Sequence, residues 1–256
     1  MNKKKKIKNL YQGNKWILLV NLAIVFISCT TTNENGLSDW DLKGNVKSCF
    51  SYSYEVESKF GKWEKGKRRK YGHTQVTFDK KGGPQEEESY NSDMDLISKI
   101  IYVCENGQIL EYAAYSGDGK LLSKTKYNYI SNSEILTKRF YFYNNNNDSV
   151  FVDSVNITRE KGKMRKQVRL EIRSDTAYDI RTICEFNYNE EGNKNDYKVI
   201  KELYKEDDIF HTNVFKYRYE YLEFDTKNNW TKRILFGEYD GKSEPICMEI
   251  REIKYY

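Results

Sequence analysis

The chain has 256 residues, 43 Lys+Arg against 38 Asp+Glu, and a net charge of +5. Six lysines and no acids fall in residues 1–28, which leaves 37 basic and 38 acidic side chains beyond them. That near-neutral balance removes the electrostatic case for nucleic-acid binding, and an aromatic content of 15% excludes a disordered chain.

Residues 1–28 have the three parts of a secretory signal. Lys3, Lys4, Lys5, Lys6, Lys8 and Lys15 form a positive start, and Trp16 to Ile27 is apolar apart from Asn21. A hydrocarbon core needs about 20 apolar residues, so this run suits a signal better than a membrane span. It ends in Phe26-Ile27-Ser28-Cys29-Thr30. Here the segment resembles the lipobox of bacterial lipoproteins, with Phe26 where Leu is commoner and the small Ser28 before the cysteine. The resemblance implies cleavage after Ser28, a lipid on Cys29 (diacylglycerol and an acyl chain such as palmitate) and a place in the cell envelope, most simply the outer membrane. More than one chain, at about 0.8 kcal/mol per buried CH₂, makes such an anchor stable. The alternative is an ordinary secretory signal followed by an incidental cysteine.

Residues 29–43 are polar and aperiodic and are expected to be a tether. From 44 to 256 the dominant period is two, which predicts a single all-β domain. Val46, Ser48, Phe50, Tyr52, Tyr54 and Val56 alternate with Lys47, Cys49, Ser51, Ser53 and Glu55. Val168, Leu170 and Ile172 alternate with charged residues, as do Phe215, Tyr217, Tyr219 and Tyr221. Beyond one short turn near Asp93–Ser98, no helix is expected. Asn106-Gly107 between apolar runs predicts a type I′ hairpin.

Five turns share a template: an aromatic, then Asp, Asn or Ser, two free residues, then Gly or Asn. They are Phe78 to Gly82, Tyr115 to Gly119, Tyr143 to Asn147, Tyr188 to Gly192 and Phe224 to Asn228, spaced 37, 28, 45 and 36 residues apart. The second residue can bond backbone N–H groups ahead of it, and the last supplies a left-handed backbone. The repeat resembles that of YD-repeat proteins, closest at Phe186 to Asn193 and Tyr221 to Asn228. The end of the chain, Asn228 to Arg233 and Arg251 to Tyr256, is similar to that of uncharacterised Bacteroidota lipoproteins. Both resemblances imply an antiparallel meander of hairpins, elongated, curled or closed as a barrel, and neither implies an activity.

The cysteines Cys49, Cys104, Cys184 and Cys247 allow three disulfide connectivities in an oxidising compartment, or serve as small buried apolar residues. Only His73 and His211 could begin a metal site. They lack ligand spacing and are expected in solvent, so no metal or cofactor is expected. The runs Glu86-Glu87-Glu88 and Asp207-Asp208 read as solvated charge. Lys59 to Lys70 is strongly basic around Trp63 and reads either as an edge hairpin blocked by lysines or as a tip touching anionic lipid or polysaccharide. Trp63 and Trp230 are the candidate ligand contacts, Trp230 because it follows a turn directly. Ser149, Ser154 and Thr176 lie in Asp-Ser/Thr-apolar triplets that resemble Bacteroidota O-glycosylation sites. The functional expectation is an envelope lipoprotein that binds a protein or glycan, or helps assembly, without catalysis. The alternative is a glycan-acting enzyme whose carboxylate pair no motif reveals.

Overall fold

The repeated turn builds the fold one hairpin at a time. A computed structural model describes residues 36–256 apart from 106–107, 132, 143–148, 161–162, 172–178 and 206–207; the expected signal, Cys29 and Thr176 lie outside the described residues. At Asp79 the carboxylate accepts from Lys81 N (2.8 Å) and Gly83 N (2.9 Å), and Asp79 N–H donates to Gly83 O. Asp225 repeats this pattern toward Lys227 and Asn229, and Asn189 toward Asn193. Ser116 does the same with its hydroxyl toward Lys120. The fourth residue is left-handed each time: Gly82 (φ 83°), Gly119 (85°), Gly192 (81°) and Asn228 (61°). Four copies of the template are thus one turn type, and the fifth, Tyr143 to Asn147, falls on residues outside the description.

These turns join fifteen antiparallel strands: β1 Val46–Lys59, β2 Lys62–Arg68, β3 His73–Phe78, β4 Pro84–Tyr90, β5 Leu96–Glu105, β6 Gln108–Ser116, β7 Leu121–Tyr129, β8 Glu134–Phe142, β9 Ser149–Glu160, β10 Lys163–Glu171, β11 Asp179–Tyr188, β12 Lys194–Lys205, β13 Asp208–Phe224, β14 Trp230–Tyr239 and β15 Lys242–Tyr255. Each pairs with its sequence neighbour, except that β1 pairs β2 through its second half and β3 through Ser48–Ser51. β2 and β3 therefore lie along one edge of β1 as an interrupted strand. The other edge of β1 pairs with β15 from Val46↔Tyr255 to Tyr54↔Met248, which closes a 14-strand barrel. The hairpin expected at Asn106-Gly107 is flanked by the pair Glu105↔Gln108.

The inside of the barrel is filled. Directly paired residues share a face, and the row Cys49↔Val76↔Glu87↔Ile100↔Ala114↔Ser123 is buried throughout. Large side chains complete the core: Tyr102, Ile109 and Tyr112 on one side, and Ile135, Val155, Ile157, Met164 and Phe186 on another. Inward tyrosines satisfy their hydroxyls locally: Tyr129 donates to Ile109 O, Tyr188 to Met164 O and Tyr221 to Lys194 O.

Ion pairs line the outer wall. Lys99 bridges Glu86 (2.5 Å) and Glu88 (3.7 Å), and Arg181 meets Glu202 (2.5 Å). Lys124–Glu111, Lys166–Glu185, Lys216–Glu238 and Lys232–Glu223 continue the pattern around the barrel.

Three expectations are corrected by this arrangement. A bulge between Val46 and Ser48 puts both Val46 and Cys49 inside, so Phe50, Tyr52 and Tyr54 face outward while Ser53 is buried. One extra residue reverses every later side chain of a strand. The described end of the expected tether is a 3-10 turn, Gly36–Trp40, buried in the barrel mouth. Of the two histidines only His211 is exposed. His73 is fully buried: its Nδ1 accepts from Ser53 N–H and its Nε2 donates to Arg69 O (2.7 Å).

Candidate functional site

The plugged mouth gathers most of the buried charge. Strand direction places the turns 79–83, 189–193 and 225–229 at this rim, beside the start of β1 and the end of β15. Leu37 (1% exposed) and Leu42 enter among Val46, Cys49, Val76 and Phe78. Trp40 lies edge-on to Phe78 at 6.2 Å and also packs against the Tyr102–Tyr112 group. The plug therefore touches strands on several sides of the barrel, which only an inserted segment can do.

Charge pins the plug. Arg159 on β9 donates from Nη2 to both oxygens of Asp39 at 3.0 Å. Arg233 on β14 lies 3.7 Å from Asp41 and donates from Nε to Glu249 at 2.5 Å. Its guanidinium sits 3.8 Å over Trp230 and 3.8 Å over Tyr219, while that of Arg251 sits 3.5 Å over Trp230. Burial pushes Lys194 down to about 8, against the nearby Asp41 and Asp39. Burial also pushes Tyr219 and Tyr197 upward, which keeps these hydroxyls neutral.

Asn229 closes the rim. Its Oδ1 accepts from Lys43 N (2.6 Å), and its Nδ2 donates to Lys43 O (3.0 Å) and to Tyr255 Oη (2.7 Å). Tyr255 in turn donates to Asp225. Among the described residues, Trp230 Nε1 and Arg251 Nε and Nη1 are buried donors without an acceptor. The chamber is thus rich in cations and donors, and the plug's two carboxylates are its built-in ligands. Such a set favours holding an acidic segment in place.

A second buried group stands apart. Glu87 faces inward, accepts from Tyr102 Oη (2.9 Å), and is pushed up to about 7 by burial. The expected solvated run 86–88 is corrected here: Glu86 and Glu88 face outward, and Glu87 does not. Asp207 lies outside the described residues.

The candidate residues scatter. Trp230, expected to be exposed after its turn, is 1% exposed beneath two guanidinium groups and is corrected as a ligand contact. Trp63 keeps 39% exposure and sets its ring edge-on to Phe236 at 6.2 Å. Ser154 lies mid-strand in β9, paired with Lys138 and Leu170, and Ser149 opens the same strand. Cys49, Cys104, Cys184 and Cys247 form no disulfide among the described residues, and burial pushes the thiols of Cys49, Cys184 and Cys247 up. Among the described residues no cluster could hold a metal ion. Reading the sequence missed Asp39, Asp41, Arg159, Arg233 and Asn229. The one signal was the apolar set Leu37, Trp40 and Leu42 inside an otherwise polar stretch.

No family model matches the chain, and no curated protein matches it. Among solved structures it is similar to a porin-like protein from Bacteroides uniformis, at 7% identity over 82% of this chain and 98% of that one, with a TM-score of 0.38. It is also similar to a protein of unknown function from Bacteroides fragilis, at 11% identity over 61% of this chain and 91% of that one, with a TM-score of 0.24.

Proposed function

We propose that this chain is an envelope lipoprotein whose plugged barrel stands in water and is held to a membrane by lipid on Cys29, where it serves a non-enzymatic binding or assembly role. The observation that carries the reading is the ion-paired outer wall. A lipid-spanning barrel shows an apolar band about 25 Å tall, and Lys or Arg near its midplane costs about 2–4 kcal/mol each. Here Lys99, Lys124, Lys166, Arg181 and Lys216 interrupt the wall around its girth. The interior is filled by side chains and plugged, which does not suit a conducting channel either. A lipobox-like cysteine behind an apolar leader supplies the covalent anchor by which a water-facing barrel is held at a membrane.

The test combines alkyne fatty-acid labelling with Triton X-114 partition, on the wild type and Cys29→Ala. The expected result is label and detergent-phase recovery for the wild type and neither for the variant. Detergent-phase recovery of an unlabelled Cys29→Ala protein would reject the water-facing barrel. Absence of label from both would reject the anchor.

A further inference from the structure

Two hairpins at the rim opposite the plug close with the same two-residue turn. Asp240-Gly241 has φ values of 48° and 74° between Tyr239 and Lys242, and Phe60-Gly61 has 51° and 75° between Lys59 and Lys62. A turn with two positive φ angles favours Asn-Gly or Asp-Gly. Asp240 obeys that preference. Phe60 does not, since a bulky L residue seldom adopts this conformation. Phe60 is also fully exposed, the most exposed of the large apolar side chains described, and open space surrounds the neighbouring Gly61. Strain and exposure fall together on one residue, whose ring is buried against none of the described residues.

The ribbon below holds this ring in place. Beyond Tyr54 β1 parts from β15, and β1 and β2 continue as a two-stranded arm. Tyr54 and Val56 cover Ile234 and Met248 on the outer wall, and Trp63 meets Phe236. Residues 54–70 carry seven basic side chains (Lys59, Lys62, Lys65, Lys67, Arg68, Arg69 and Lys70) against Glu55, Glu57 and Glu64. Lys62 and Lys65 are exposed beside the tip, next to the half-open Trp63.

We propose that the Phe60 tip is a membrane-contact site, in which the ring enters the interface of an anionic bilayer and the flanking lysines meet its headgroups. One apolar ring set among lysines and glycine is far smaller than a protein–protein patch, which takes about 800 Å² per partner. A bilayer interface accepts single rings and adds attraction for each lysine near its surface. The tip lies at the rim opposite the plug, so it gives the barrel a second point of contact, separate from any anchor behind residue 36.

The test uses the unlipidated chain from residue 30, which retains the whole plugged barrel, so its outcome is independent of whether Cys29 is acylated. Sedimentation is measured with phosphatidylcholine vesicles and with vesicles containing phosphatidylglycerol, for the wild type and Phe60→Asn. Asn suits the turn, so this variant is expected to melt at or above the wild-type temperature. It is also expected to need about tenfold or more lipid for half-binding. Binding to anionic vesicles should weaken with salt and with Lys62→Glu. Equal binding by Phe60→Asn, equal binding to neutral vesicles, or no binding by the wild type would overturn the assignment. A photo-crosslinker at position 60 that captures a protein rather than lipid in cells would overturn it in favour of a protein partner.

Discussion

The side-chain amide of Asn229 pairs with the backbone of Lys43 through both its oxygen and its nitrogen, across 186 positions of sequence. It acts as one more rung of sheet, holding the plug to the rim. An alanine there leaves a backbone donor and acceptor without partners, at about 1–3 kcal/mol each. Asn229→Ala should therefore lower unfolding free energy by about 2–4 kcal/mol. Hydrogen exchange should rise across residues 37–45 before it rises in β14 and β15. Uniform exchange across the barrel would show that Asn229 supports the whole wall and not the plug.

Asp39 and Arg159 are both buried, with side-chain exposures of 3% and 1%. Breaking one half of such a pair strands the other, at about 3–5 kcal/mol, whereas an apolar replacement of both is close to neutral. Arg159→Met and Asp39→Leu should each destabilise by that amount, and the double variant by much less than their sum. Chemical denaturation of all four proteins closes the cycle. Strict additivity would mean that the two charges do not act on each other.

Glu87 binds its proton more tightly folded, near 7, than the ordinary 4.5 it takes when unfolded. The folded form holds the extra proton between these values, so stability falls as pH rises from about 4.5 to 7 and then levels, by about 3 kcal/mol in all. Glu87→Gln should match the wild type near pH 4 and exceed it by about that amount at pH 8. His73 works in the opposite sense. Burial lowers its pKa, so stability is lost as pH falls below 6.5 and the unfolded chain gains the proton. Denaturation midpoints measured from pH 4 to 8 should show Glu87→Gln abolishing the loss of stability on raising the pH from about 4.5 to 7 and leaving the loss that His73 causes on lowering it.

Tryptophan fluorescence separates the two aromatic candidates. Trp230 is sealed beneath Arg233 and Arg251, Trp40 is wedged in the mouth, and Trp63 is partly open. Iodide should quench one fraction of the emission, and Trp63→Phe should remove that fraction. Quenching that survives in Trp63→Phe would mean that the plug opens in solution.

The turns were legible because their chemistry is local. Asp79, Asn189 and Asp225 each bond the residue four positions ahead, so template and geometry coincide. Strand alternation was legible for the same reason. The facing of β1 was not, because the bulge after Val46 reverses Phe50, Tyr52 and Tyr54 and leaves no mark on the period. Nor was the plug, since Leu37, Trp40 and Leu42 become core only once strands from β1 to β15 surround them.

What the sequence determined by itself, then, was an all-β chain of hairpins, with one turn template that four described turns share. Tertiary structure alone decided that the sheet closes, that Trp230 and His73 are buried, and that Asp39 meets Arg159. Hairpin preferences are fixed by dihedrals and hydrogen bonds within a few residues. Closure and burial depend on groups such as Lys43 and Asn229, which have no local reason to meet until the fourteen-strand wall brings its two ends together.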